Sequence, residues 1–200
     1  MAQVPCYPAR VSDEKMQFHR MDDMTTEDFA ILRHVHEENL AALPDLLLRL
    51  LDDLGGDEAY PVDRRTHSIQ AATRALRDGR DEEYVVMALL HDIGETLGPL
   101  NHGEVIAAIM KPFLSEANYW TLEHHPLFQT YYYGSHVGID PNGRDIYRDS
   151  PYFDRTAEFC SLYDEVSFDP DYDNEPLETF VPMVHRVLSK TWTPPSGSTS

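Results

Sequence analysis

Cysteine and basic residues are both scarce in this chain of 200 residues. The two cysteines, Cys6 and Cys160, cannot build a disulfide framework and suit a reducing compartment, so we expect a cytoplasmic protein. Only 16 Lys and Arg face 35 Asp and Glu, which gives a formal net charge of −19. Because nucleic acids and anionic membranes are bound by clustered basic side chains, this balance argues against both as partners. We expect a small-molecule substrate, and a monomer or homodimer.

Long apolar runs and several common catalytic motifs are also missing. Nowhere do eighteen apolar residues follow one another, and the N-terminus lacks a basic segment followed by an apolar one, so we expect a soluble, unexported protein. The chain has no Gly-rich phosphate loop and no nucleophile elbow, which argues against P-loop nucleotide hydrolases and α/β-hydrolases. Its apolar fraction of 42% is nevertheless that of a folded protein.

The length predicts one domain, and its sequence pattern is helical. We expect an N-terminal arm over residues 1–24, a domain over 25–190 and a disordered tail over 191–200. Apolar residues recur at helical spacing between plausible N-caps, few segments alternate with a period of two, and the fold class is therefore all-α. The predicted caps are Asp63, Asp81 and Ser115, with a capping box at Asn101 and Glu104.

Three further features set the remaining boundaries. Pro44 predicts a kink or split in the first long helix. The helix that follows Ser115 is predicted to end near His125. Residues 134–150, which contain three glycines and a proline, are predicted to form a loop.

Ten histidines are an unusual feature of so acidic a chain. His91 and Asp92 follow the apolar run from Val85 to Leu90, where two polar side chains are costly unless they are paired or bind a metal. Adjacent side chains on a helix diverge by roughly 100°, so they serve one metal poorly from the same face. A carboxylate in this place can instead bridge two metals while its neighbour binds one.

Four further residues of the same chemical kind are predicted to face inward from separate helices. These residues, each of which lies beside apolar neighbours, are His67, His102, His125 and Asp164. Together with His91 and Asp92 they provide four imidazoles and two carboxylates. Such a mixed nitrogen and oxygen donor set suits two first-row divalent cations.

The segments around these residues resemble the HD-domain superfamily in its dinuclear form. They are 67–75, 91–94, 101–104, 125–129 and Tyr163-Asp164 with 167–170. Across roughly residues 17–190 the sequence is similar to that of a narrower group, the mixed-valence diiron HD oxygenases. This group includes myo-inositol oxygenase and bacterial enzymes that cleave organophosphonates. The resemblance implies an HD-domain helical bundle, two iron ions as Fe(II)/Fe(III), O2 as co-substrate, and the six residues above as metal ligands. It favours His125 over His124 because the Pro-Leu-Phe-Gln that follows then aligns.

Three functions share this ligand set. The resemblance favours an oxygenase that breaks a C–P or C–C bond, although ligand spacing alone does not distinguish it from a dinuclear phosphohydrolase acting on a phosphate ester. The third hypothesis is a non-catalytic HD binding module. Such a module would usually have lost a ligand, whereas all six positions are filled here.

Three residues are predicted to contact substrate. Glu95, four residues after His91, would suit an amine or trimethylammonium group, or is a surface acid. Gln129 could bond a phosphonate or hydroxyl oxygen, and Tyr60 matches a lid position in the resemblance or is a loop tyrosine. The lead substrate is a 1-hydroxyphosphonate with an amine or trimethylammonium group. Further candidates are one ring of Tyr131–Tyr133 for the cavity and, for an anionic group, Arg64, Arg65 or Arg155.

Overall fold

The computed structural model describes residues 15–56 and 58–191, and within them the chain is helical with no strand. The all-α prediction is therefore confirmed. Seven α-helices follow one another: α1 Thr26–Asp52, α2 Arg64–Arg77, α3 Glu82–Leu90, α4 His102–Met110, α5 Glu116–Val137, α6 Phe153–Phe159 and α7 Leu177–Val187. Short 3-10 helices occupy Met21–Asp23, Ile93–Thr96 and Gly143–Tyr147, and a π-helical turn occupies Cys160–Asp164. None of the described helices is both long and apolar enough to cross a membrane.

The chain divides into two compact units, and the cluster of histidines lies wholly in the one that spans Leu47–Leu188. In the other unit, Asp28 accepts hydrogen bonds from the backbone amides of Gln17 (2.8 Å) and Thr25 (3.1 Å). These bonds hold the start of α1. The predicted arm and tail fall largely on residues 1–14 and 192–200, which lie outside the described residues, so the predicted domain boundaries stay predictions.

Three of the four predicted helix starts carry the expected cap. The Asp63 carboxylate accepts from the Thr66 amide at 2.7 Å, and Asp81 and Ser115 cap α3 and α5 in the same way. The capping box at Asn101 is wrong. Although α4 begins at the next residue, the Asn101 side chain makes no capping hydrogen bond to the backbone, and its amide instead lies 3.4 Å from the Glu104 carboxylate.

Two helices continue past positions where the sequence predicts a break or an end. α1 runs through Pro44 without splitting, and α5 runs through Pro126 to Val137, well past its predicted end. The first four residues of the predicted 134–150 loop therefore belong to α5. The stretch of α5 beyond Pro126 buries Phe128 and Gly134, and this packing offsets the backbone hydrogen bond that proline cannot donate.

α3 is the central helix of the larger unit. All of its residues from Tyr84 to Leu90 are fully buried, and it packs against α2, α5 and α7. A helix that is apolar on every side is stable only when other elements surround it. The polar pair His91-Asp92 at the end of α3 therefore lies close to the interior of this unit.

Two glycines allow the backbone to pass close to neighbouring elements beside this pair. A side-chain atom added at Gly94 would overlap the backbone of His102, whose carbonyl carbon lies 2.9 Å from the position of the added atom. At Gly103 the added atom would lie 2.8 Å from the Pro126 ring. These contacts fix the start of α4 against both the turn after α3 and the middle of α5.

Replacing Gly94 by alanine is expected to lower the free energy of unfolding by about 1–3 kcal/mol, since the added methyl group overpacks a backbone contact that has no flexible side chain to move. Urea unfolding followed by circular dichroism measures this. The matched control is Gly143→Ala, where the nearest atom to the added methyl is a Leu127 side-chain carbon at 3.5 Å, an ordinary contact. Equal stability of the two variants would contradict the close approach.

Candidate metal centre

His91 and Asp92 lie where α3 ends and the backbone changes to a 3-10 turn. His91 still has helical dihedral angles, while Asp92 has φ −98° and ψ −4°, and the Ile93–Thr96 turn follows. This change of geometry turns the two adjacent side chains toward a common region. His91 is fully buried there.

The other four candidate ligands reach the same region from four elements. His67 lies in the first turn of α2, just after its Asp63 cap, and His102 is the first residue of α4. His125 lies in the middle of α5 beside Pro126, and Asp164 ends the π-helical turn. The structure thus brings all six residues together.

The Asp92 carboxylate lies between two pairs of imidazoles. Its Oδ2 atom is 3.6 Å from His67 Nε2 and 3.5 Å from His91 Nε2. Its Oδ1 atom is 3.5 Å from His102 Nε2 and 3.4 Å from His125 Nε2. A carboxylate with one oxygen directed at each pair has the arrangement needed to bridge two cations.

Asp164 completes the half of the cluster that contains His67 and His91. Its Oδ1 atom lies 3.3 Å from His67 Nε2 and 3.7 Å from His91 Nε2. Its Oδ2 atom is buried and has no hydrogen-bond partner among the residues that the structure describes. An unpaired buried carboxylate oxygen is costly, and a metal ion would supply the missing interaction.

Three of the imidazoles are oriented by backbone carbonyls. The Nδ1 atoms of His67, His91 and His125 lie 3.0, 2.9 and 2.8 Å from the carbonyl oxygens of residues 167, 88 and 122 respectively. A carbonyl can only accept, so each bond places the proton on Nδ1 and leaves the Nε2 lone pair for a cation. In His102 the corresponding Nδ1 atom faces the Glu95 carboxylate at 3.6 Å.

The resulting donor set fits metal ions. Because Nδ1 of both rings already carries a proton, the Nε2 atoms of His67 and His91, 3.1 Å apart, meet favourably only when a proton or a metal cation lies between them. Two groups have ligand atoms within 4.8 Å of one another, namely His67, His91 and Asp164, and His91, Asp92 and His125. Nitrogen and oxygen ligands in this proportion suit first-row transition metals.

The electrostatics of the protein alone also favour positive charge at this place. Burial by itself would lower the pKa of His91, but the carboxylates of Asp92 and Asp164 outweigh it and raise that pKa to about 9. Burial opposes ionisation of the two carboxyls, yet the surrounding histidines hold the pKa of each below its usual range. The negative charge of Asp92 and Asp164 is therefore stabilised by nearby positive charge, which metal ions would provide.

A cavity of about 450 Å³ opens beside the cluster. The three predicted substrate-contacting residues Tyr60, Glu95 and Gln129 all line it, and so does Tyr133 among the three consecutive tyrosines. The volume is that of a site for a small metabolite. Its full lining comprises Tyr60, Arg64, His67, Asp92, Glu95, His102, His125, Pro126, Gln129, Tyr133, Asp164 and Phe168.

Of the three candidate arginines, Arg64 alone lines this cavity. Its guanidinium forms an ion pair with the Glu95 carboxylate, and both side chains are about one quarter exposed, 26% and 23%. Arg65 instead pairs with Asp52 at 2.7 Å, and Arg155 donates to the Asn118 side chain at 3.1 Å. The cavity wall therefore includes an ion pair between Arg64 and Glu95, in addition to the carboxylates of the cluster.

His124 lies outside the cluster. Its ring stacks on Trp120 at 4.0 Å between centroids, and its Nδ1 atom is 2.9 Å from the Trp120 carbonyl oxygen. The structure thus brings His125, and not its neighbour, to Asp92.

Phe168 was missed by sequence reasoning. Its ring stacks on the His67 imidazole at 4.3 Å between centroids and forms part of the cavity wall. It lies in the 167–170 segment on which the resemblance rests, but no local pattern assigns it a place in the site. Its position depends on an approach of two segments that are distant in sequence.

Comparison with known proteins agrees with this geometry. A family profile described as "HD domain" matches residues 64–169, more than half of the chain. A segment of 45 residues is 51% identical to the [1-hydroxy-2-(trimethylamino)ethyl]phosphonate dioxygenase (glycine-betaine-forming) of Leisingera caerulea. That match covers 21% of this chain and 23% of the relative, so the chain matches less than a quarter of the relative's length.

We expect His102→Ala to lose one of two bound metal ions, because it removes one imidazole from the Oδ1 side of Asp92 and leaves the other half of the cluster complete. Metal analysis after loading with Fe(II) under anaerobic conditions measures this. His124→Ala is the matched control and should keep both ions, since its ring packs on Trp120. Two ions retained in His102→Ala would remove His102 from the ligand set.

Proposed function

Because the chain belongs to the HD-domain family, we propose that it is a dinuclear iron enzyme that uses O2 to cleave a small hydroxylated metabolite. The lead substrate is a 1-hydroxyphosphonate that carries an amine or trimethylammonium group. Two observations support the proposal: Asp92 divides its carboxylate between two pairs of imidazoles, and part of the chain is similar to a phosphonate dioxygenase.

The placement of Asp92 carries most of the argument. A single-metal HD site needs Asp92 and three further ligands. These are His67, His91 and Asp164, and all three lie on the Oδ2 side of the Asp92 carboxylate. His102 and His125 add a second pair of nitrogen donors on the Oδ1 side. A second cation is the simplest reason for placing the buried His125 and the half-buried His102 together at this oxygen.

The protein's own contribution is to hold and enclose the reacting groups. When bound, an Fe(II)/Fe(III) pair would supply activation of O2 and removal of hydrogen from the carbinol carbon. The protein aims the four Nε2 atoms through the partners of their Nδ1 atoms. The Phe168 ring covers His67 and excludes water from that side of the cluster.

Overall, the reaction balances without a further reductant. Conversion of a 1-hydroxyphosphonate to a carboxylate and inorganic phosphate takes up both atoms of one O2. No electron donor is needed, so a cavity that admits only the substrate and O2 is sufficient for this chemistry.

The charges in the cavity suit a zwitterion. Arg64 can donate to a phosphonate oxygen and Glu95 can face an ammonium group, so the substrate would replace an ion pair that the protein already holds. An anion without a positive group would take Arg64 from the Glu95 carboxylate and put no other cation in its place, which disfavours such a substrate. This arrangement supports a substrate with both charges.

Other lining residues suit the remaining parts of such a molecule. The aromatic rings of Tyr60, Tyr133 and Phe168 provide faces for a trimethylammonium group. The Gln129 Oε1 atom is buried without a hydrogen-bond partner within the described chain, and it can accept from a substrate hydroxyl group. Tyr60 is half exposed in the loop before α2 and stacks on Phe168 at 6.1 Å, which suits its predicted role as a lid.

The alternative is a dinuclear phosphohydrolase. The same six ligands could hold two redox-inert ions that polarise a phosphate ester and activate a bridging water for in-line attack. It would release phosphate without consuming O2, and this difference decides between the two functions.

Low-temperature EPR of iron-loaded, partly oxidised protein is the first test. The oxygenase is expected to give the half-integer-spin signal of a coupled Fe(II)/Fe(III) pair, and this signal should change when the hydroxyphosphonate is added. The same sample should then consume one O2 for each phosphate released. Phosphate release from phosphate esters without O2 uptake, or iron that never forms the coupled state, would favour the hydrolase.

Arg64→Leu is expected to raise KM for the hydroxyphosphonate by roughly tenfold or more, because a hydrogen bond to a charged group is lost. Steady-state O2 uptake measures the change. Arg65→Leu is the control, since that neighbouring arginine pairs with Asp52 and does not line the cavity. An unchanged KM in Arg64→Leu would mean that another group binds the anion.

A further inference from the structure

Three side chains on one face of α2 bind the backbone of a single distant segment, residues 166–169. His67, Gln70 and Arg74 are spaced at i, i+3 and i+7, so they lie along one side of the helix. The His67 Nδ1 atom lies 3.0 Å from the Ser167 carbonyl oxygen, and Arg74 donates to the Val166 carbonyl at 3.0 Å.

Gln70 makes the most complete of these contacts. Its Nε2 donates to the Asp169 carbonyl at 2.6 Å, and its Oε1 accepts from the Asp169 amide at 3.2 Å. The side chain is fully buried. Because the two bonds reach both polar groups of one residue, they fix the position and the rotation of the backbone there.

The 166–169 segment in turn contributes twice to the metal centre. The Ser167 carbonyl places the proton of His67 on Nδ1, and the Phe168 ring stacks on the His67 imidazole and forms part of the cavity wall. A shift of this backbone would therefore change the orientation of a candidate metal ligand and the shape of the cavity together.

We propose that Gln70 is a positioning residue: through the 166–169 segment it sets the orientation of His67 and the place of Phe168 in the cavity. It touches neither the proposed metals nor the substrate. The inference rests on the contacts of α2 and holds whether the enzyme is an oxygenase or a hydrolase.

The test compares Gln70→Met with a matched variant on the same helix. Methionine keeps the length of the side chain and removes both hydrogen bonds. The control is Thr73→Val: Thr73 is also fully buried, and its hydroxyl accepts from the Glu175 amide at 3.2 Å, so it holds a part of the same loop that does not contact the cluster. Both variants lose a bond between α2 and this loop.

Titration of metal-free full-length protein with Co(II) provides the first readout. Of the two Co(II) binding steps, we expect Gln70→Met to lower the affinity of the one that uses His67 by about ten- to a hundredfold, as loss of an outer partner of a ligating histidine does. The visible absorption of the bound Co(II) should change as well. Thr73→Val should keep the wild-type affinity and spectrum. Wild-type behaviour of Gln70→Met, or an equal effect of both variants, would overturn the proposal.

Proton NMR of the metal-free protein gives a readout that does not depend on any metal. The hydrogen-bonded Nδ1 proton of His67 should give a downfield, exchange-protected resonance in the wild type and in Thr73→Val, and should shift or exchange faster in Gln70→Met. If Gln70→Met does not fold, Gln70→Glu takes its place, since it keeps the volume and the acceptor for the Asp169 amide but loses the donor to the Asp169 carbonyl. An unshifted, equally protected resonance would overturn the proposal.

Discussion

The electrostatic demand of two carboxylates, the buried Asp164 and the half-buried Asp92, determines the arrangement of this molecule around its centre. Asp92 and Asp164 lie at the inner ends of elements whose apolar residues are removed from water, and four imidazoles from four positions in the chain meet them there. Burying this much polar surface is unfavourable unless positive charge accompanies it. The apolar surroundings of α3 thus make it unfavourable to place these carboxylates in the interior, and the positive charge of the proposed metals would offset that free-energy cost.

The two halves of the cluster are built in different ways. The half with His102 and His125 depends on backbone contact, because Gly94 and Gly103 let α4 approach the turn after α3 and the middle of α5. The half with His67 depends on side-chain hydrogen bonds from α2 to the 166–169 segment. One half therefore has little freedom to move, whereas the other can be adjusted by single polar side chains.

The sequence was sufficient to identify the helical class and to select the six residues that the structure brings together. Histidine and aspartate beside apolar runs are chemically conspicuous, and the resemblance to HD-domain proteins separated His125 from His124. It was not sufficient for the features that depend on distant contacts. The continuation of α5 past Pro126 comes from packing that local rules do not contain, and the Asn101 side chain bonds Glu104 where a cap was expected. Phe168 and Gln70 acquire their places only when α2 meets a segment about a hundred positions further along the chain.

That separation has a consequence for the order in which the molecule folds. α4 and α5 are consecutive, so their contacts close a short loop and cost little chain entropy, whereas the contact of His67 with Ser167 spans 100 positions and closes late. During synthesis the part with His102 and His125 can form before the ribosome has released the residues that complete the other part. The nascent chain can thus present one half of the candidate ligand set first, and the set is complete only after Asp164 and Ser167 have been synthesised.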